Sequence, residues 1–116
     1  MIRIDSNETP DEEGWVKVGH ADLLLPEDVL RFDHDEKTYA VYRTAEGLFY
    51  ASQGICSHGQ THLASGKVIG CQIECPKHNG RFDVRDGSVQ RKPPKNSLQI
   101  FPVKLDQGDI HIKVTG

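Results

Sequence analysis

With 116 residues, the chain is long enough for one compact domain and too short for a second core. An apolar share of 36% and a mean hydropathy of −0.53 fit a water-soluble protein, and no apolar run approaches the roughly 20 residues that a bilayer span requires. The net charge of −3 is uneven: residues 1–54 hold 5 basic and 12 acidic groups (−7) and residues 55–116 hold 9 and 5 (+4), which favours a charge-steered protein partner over nucleic acid.

The N-terminus has neither a basic start followed by an apolar stretch nor a small-residue cleavage site, so the cytoplasm is the expected compartment. Asp5 to Glu13 is acidic, contains Pro10 and lacks a hydrophobic period. Residues 1–13 are therefore expected to form an acidic, flexible tail ahead of a single domain over 14–116. Short β-rich runs follow at Trp15-Val16-Lys17-Val18, Val29-Leu30-Arg31-Phe32, Thr38 to Arg43, and Leu48-Phe49-Tyr50-Ala51. Turn residues Asp33-His34-Asp35-Glu36 and Ala45-Glu46-Gly47 separate them, which predicts an antiparallel meander of hairpins. Near the C-terminus, Leu98 to Phe101 and Val103 to Leu105 flank Pro102, and Asp106-Gln107-Gly108-Asp109 leads into Ile110 to Val114 as a terminal hairpin. The fold class is all-β.

The middle, from about 53 to 94, holds all three cysteines and more than half of the 11 glycines, with no long periodic segment. It reads as loops organised around another source of order, such as a metal centre. An odd number of cysteines without an export signal argues for metal binding or thiol chemistry over a disulfide framework. Cys56-Ser57-His58 and, after sixteen intervening residues, Cys75-Pro76-Lys77-His78 each offer one thiolate and one imidazole. Two sulfur and two nitrogen ligands can complete the coordination of two sulfide-bridged irons. A tetrahedral zinc site could use the same donors, although zinc-finger spacing pairs cysteine with cysteine and histidine with histidine.

This CxHx16CxxH pattern resembles the signature of Rieske proteins, and the likeness extends over roughly residues 15 to 114. CSHGQTHLASGKV carries the small residues, Leu63 and Gly66 of that family's first loop; ECPKHNGRFDVRDGSV is similar to its CPxHGxxFD run; Pro93-Pro94 matches its proline-bearing loop. Asn79 stands where glycine commonly follows the second histidine, and asparagine tolerates positive φ. The resemblance implies a Rieske-type antiparallel β-sandwich with a small, loop-rich cluster-binding subdomain. It implies one [2Fe–2S] cluster per chain, with Cys56 and Cys75 on the inner iron and His58 and His78 on the outer iron at the protein's tip.

High-potential relatives join the two loops by a disulfide and direct serine and tyrosine hydroxyls at the sulfurs. The corresponding positions here are Thr61 and Lys77, and Gly80 and Phe82, which implies a low potential. A low-potential member suits a one-electron carrier between an NAD(P)H-dependent flavin reductase and a terminal ring-hydroxylating oxygenase, in aromatic hydrocarbon catabolism. No catalytic residue is expected; the electron would leave by the edge of His58 or His78. Such a carrier is expected to be a monomer that forms transient complexes, without membrane or nucleic-acid binding. A Rieske-like small subunit of another oxidoreductase, such as a nitrite reductase, is the alternative. The chain ends too early for the mononuclear iron domain of an oxygenase catalytic subunit, and a redox sensor or zinc-held interaction module is more remote. Cys71 is expected to be a small buried residue in a strand-like run, and His62 a loop-surface or supporting residue. His20, His34 and His111 read as surface or packing residues. Lys77, Arg81, Arg85, Arg91, Lys92 and Lys95 form a basic rim that is either simply solvated or a guide for an acidic partner.

Overall fold

The computed structural model describes residues 2–57, 59–77, 79–92 and 94–114, which form short strands and two 3₁₀ turns. In chain order the strands are β1 (Ile2–Ser6), β2 (Trp15–His20), β3 (Asp28–His34), β4 (Lys37–Arg43), β5 (Phe49–Gln53) and β6 (Lys67–Ile69). There follow β7 (Gln72–Glu74), β8 (Arg81–Asp83), β9 (Val89–Arg91), β10 (Ile100–Phe101), β11 (Val103–Asp106) and β12 (Asp109–Lys113). They assemble as β1-β3-β4-β5-β10, β11-β12-β2 and β6-β7-β8-β9.

The five-stranded sheet is the central layer. Successive side chains of a strand point to opposite faces, so Tyr39 and Val41 join Leu30 and Phe32 on one face, against Val16, Val18, Ile110 and Ile112 of the three-stranded sheet. Ala40 and Tyr42 join Val29 on the other face, against Leu63, Ile73 and Phe82 of the segment that carries the cysteines. Covering both faces explains why β4 is buried continuously from Tyr39 to Tyr42. The second layer places the four-stranded sheet and its loops on the flank of the sandwich.

The β3–β4–β5 meander is as expected, with the turns placed more narrowly. β3 runs through Asp33 and His34, His34 pairs with Lys37, and Asp35 and Glu36 alone turn the chain, at φ of 49° and 66°. The segment from 53 to 94 holds four three-residue strands in place of loops alone. Three residues are too few for a period of two to register in a sequence.

The flexible tail expected over residues 1–13 is corrected in the described part. Ile2–Ser6 is a strand that pairs in parallel with β3, from Ile2 opposite Leu30 to Ser6 opposite His34. Ile2 and Ile4 pack on the core beside Phe32, and Arg3 lies 3.0 Å from the Asp33 carboxylate. His34, 5% exposed, bonds the Glu8 carbonyl at 2.7 Å and ties down the following segment. The apolar residues that outweigh the acidic composition are the alternating Ile2 and Ile4.

Candidate metal centre

Two loops of equal length are each closed by an antiparallel pair of residues. The first, residues 56–61, is closed by an antiparallel bridge between Ile55 and His62; the second, 75–80, is closed by the Glu74–Arg81 pair of β7 and β8. Each opens on a cysteine whose N–H donates across the loop, Cys56 to the Thr61 carbonyl at 2.9 Å and Cys75 to the Gly80 carbonyl at 2.8 Å. Each cysteine carbonyl accepts from within its loop, from Gly59 N–H at 3.2 Å and from Asn79 N–H at 3.0 Å. Asn79 adopts the left-handed conformation, φ 60°, which its short polar side chain tolerates.

Cys56 and Cys75 are 3% and 4% exposed and belong to one apolar core with Leu63, Ile73, Phe82 and Leu98. No disulfide joins any of the three cysteines. A pair of buried thiols at the head of matched loops fits an iron–sulfur group, whose metal charge stabilises thiolates that an apolar site would otherwise keep protonated. His58 and His78 lie outside the described residues, as does Pro93. Among the described residues no three His, Cys, Asp or Glu side chains gather as a metal site.

A third segment binds the two loops together. Pro94 is buried against Gly80, where a side chain of even one carbon would collide with the proline ring, and Ser57 Oγ donates to the Asn96 carbonyl at 2.7 Å. Below the second loop, Phe82 is fully buried. Asp83 accepts from the N–H and guanidinium of Arg85, which outweigh burial and hold its carboxyl below the usual range. Glu74 takes Arg81 at 2.9 Å and Arg91 at 3.6 Å. Three of the six rim cations are thus paired to Asp83 or Glu74, while Lys77, Lys92 and Lys95 are exposed and form no ion pair among the described residues.

Cys71 departs from expectation: it is half-buried in the turn between β6 and β7, with Sγ 3.9 Å from Asp83 Oδ2. His62, expected at the loop surface or in a supporting position, is buried rather than on the surface. It is 7% exposed, its Nδ1 accepts from Ala64 N–H at 3.0 Å, and its Nε2 lies 2.8 Å from Thr38 Oγ1. Burial first, and Arg31 next, push its pKa down to about 4. A histidine directly following a ligand-type loop was the available signal, but its partner is remote in sequence.

This β architecture of three sheets with matched cysteine loops is the Rieske arrangement, and residues 14–102 match the Rieske [2Fe–2S] domain. The chain belongs to that family, whose cofactor is one [2Fe–2S] cluster. It is 35% identical over 92 residues to the ferredoxin component of the naphthalene 1,2-dioxygenase system of Pseudomonas putida, covering 79% of this chain and 88% of that one. In a complex of reduced oxygenase and oxidized ferredoxin in carbazole 1,9a-dioxygenase, the similar chain superposes at a TM-score of 0.80 with 33% identity, covering 84% of this chain and 99% of the other. A chain described as an NADH-dependent nitrite reductase small subunit from Mycobacterium tuberculosis superposes at 0.77 over 88% of this chain and 96% of its own, with 19% identity, a likeness of fold alone.

Proposed function

We propose that Cys56, His58, Cys75 and His78 hold the [2Fe–2S] cluster, and that the protein is a soluble ferredoxin delivering single electrons from an NAD(P)H-dependent flavin reductase to a terminal ring-hydroxylating oxygenase. The observation that carries this reading is the pair of six-residue loops, each headed by a buried cysteine hydrogen-bonded across its own loop. When bound, the cluster supplies one-electron redox chemistry. The chain's residues hold the two thiolates in a shared apolar wall, keep water from them, and fix the peptides beside them.

A low potential follows from what lies near the sulfurs. Thr61 and Lys77 cannot form the inter-loop disulfide of high-potential relatives, Phe82 brings no hydroxyl, and the place of a Gly80 side chain is filled by Pro94. Fewer hydroxyl donors leave the more negative reduced state less stabilised. Naming of related chains as dioxygenase ferredoxins favours the oxygenase as acceptor over a nitrite reductase partner, for which the likeness is of fold alone.

The test is a redox titration of the purified protein with absorption and EPR spectra. The expected outcome is a red-brown protein whose midpoint lies in the lower part of the Rieske range of about −150 to +300 mV, and a Cys75→Ser variant that loses the spectrum. A colourless, zinc-loaded protein defeats the ligand assignment; a midpoint well above zero defeats the low-potential assignment. Co-purification as a fixed stoichiometric complex with a larger oxidoreductase would favour the small-subunit alternative.

A further inference from the structure

We propose that a polar chain running from Arg3 and Arg31 through Asp33 and Thr38 to His62 is a positioning device for the first ligand loop, with His62 as the residue through which it acts. The inference rests on the assignment of Cys56 and His58 as ligands.

The links are local, and Asp33 and Thr38 meet as ladder partners. Arg3 on β1 lies 3.0 Å and Arg31 on β3 lies 3.1 Å from the Asp33 carboxylate. Asp33 pairs across the β3–β4 ladder with Thr38. Against the cost of burial, the Thr38 hydroxyl and Arg31 hold the Asp33 carboxyl below its usual range. Thr38 Oγ1 in turn lies 2.8 Å from His62 Nε2. Because Nδ1 accepts the Ala64 N–H, the ring's proton is on Nε2, and the ring donates to Thr38. The Thr38 hydroxyl then keeps its own proton available for the Asp33 carboxylate across the ladder.

The backbone around the ring is shaped for it. Gly54 donates to the Thr38 carbonyl at 2.9 Å and accepts from Leu63 N–H at 2.8 Å, and a Cβ at Gly54 would collide with His62 Nε2 and Thr38. His62 is bridged to Ile55, immediately before Cys56, and follows Thr61, whose carbonyl receives the Cys56 N–H. Holding the His62 ring therefore holds the Thr61 carbonyl and, through it, the peptide at Cys56. Orientation of such peptides and of the ligands themselves is what outer hydrogen bonds set in metal sites. Arg3 reaches the chain from a strand that precedes the matched region 14–102.

The experiment compares reduced holoprotein carrying Thr38→Val or Thr38→Ser with the native protein, reading EPR g-values, midpoint potential and the rate at which an iron chelator bleaches the visible bands. Thr38→Val preserves shape and removes the hydroxyl. It is expected to shift the g-values and potential and to bleach about fivefold faster, the factor equivalent to about 1 kcal/mol for one hydrogen bond, while Thr38→Ser restores native behaviour. Native g-values, potential and bleaching rate in Thr38→Val overturn the proposal, as does a Thr38→Ser variant as perturbed as Thr38→Val. A change in thermal midpoint with native g-values and potential also overturns it, since that marks a merely structural role. If Thr38→Val fails to fold, His62→Asn takes its place, because it keeps an acceptor for Ala64 N–H but cannot span to Thr38; native g-values and potential in it overturn the proposal. A Cys75→Ser protein that retains the native spectrum is a different result: it defeats the ligand assignment, and this inference with it.

Discussion

At the scale of single residues, His62 couples the neighbourhood of the ligand loops to pH. Its pKa is held at about 4 by burial and then by Arg31, with Arg3 adding to the effect and Asp33 opposing it, against an ordinary value of 6.5. Burial keeps the ring neutral in the folded state, as does the Nδ1 that accepts the Ala64 N–H, whereas the unfolded chain takes up a proton near pH 6.5. Acidification therefore favours the unfolded state from about pH 6.5 down to about 4 and adds nothing further below that. By pH 5 the loss from this one group is about 2 kcal/mol. Denaturant unfolding of native and His62→Asn proteins at pH 7 and pH 5 checks this: the variant is expected to lose about 2 kcal/mol less between the two, and equal losses would refute the linkage. The carboxyls with lowered pKa values, Asp33 and Asp83 among them, lose their contributions at lower pH, below the ordinary carboxylate value of 3.8.

At the scale of elements, the clearest departure from the sequence reading is β1. Composition identified Asp5 to Glu13 as polar and acidic, and that much is correct. The alternation of Ile2 and Ile4 is too short to announce a strand unless a partner edge is waiting, and β3 provides that edge. If β1 stabilises the sheet, Ile4→Ser is expected to cost about 1 kcal/mol and lower the melting temperature by about 4 °C, whereas an unattached arm would leave melting unchanged; calorimetry decides between them. The strands of the central meander were legible because each carries four or more residues of β-rich pattern between turn residues. The cysteine loops were legible in ligand type and spacing. Their common construction was not, because a cross-loop bond from Cys56 to Thr61 or from Cys75 to Gly80 is made by backbone atoms that every residue shares. The Thr38–His62 bond was hidden for another reason: the two residues are 24 positions apart and neither is a ligand-type surprise in its own context.

At the scale of the whole molecule, the charge asymmetry becomes spatial. The cysteine-bearing layer from 54 to 99 has 7 basic and 3 acidic residues, while residues 1–53 carry the excess of acid. Within that layer Glu74 and Asp83 are paired to Arg81, Arg91 and Arg85, whereas Lys77 on the second loop and Lys92 and Lys95 on the third segment are exposed and form no ion pair among the described residues. Loop 56–61, loop 75–80 and segment 92–99 contain no acidic residue, and the contacts of Pro94 with Gly80 and of Ser57 with Asn96 join them into an acid-free region whose lysines, Lys77, Lys92 and Lys95, are all exposed. Such a region orients an approaching acidic surface before contact and acts on the association rate more than on the affinity of a small transient interface. The rate of electron transfer to the proposed oxygenase partner, followed by stopped-flow at substoichiometric concentrations, is therefore expected to fall roughly tenfold as salt rises from about 10 mM to about 1 M, where the screening length shrinks from about 30 Å to about 3 Å. Replacing Lys92 and Lys95, which lie outside both ligand loops, by glutamate is expected to lower the low-salt rate and to flatten its salt dependence while leaving the spectrum unchanged. A native rate that does not respond to salt would mean that this basic region is simply solvated, with docking governed by apolar contact.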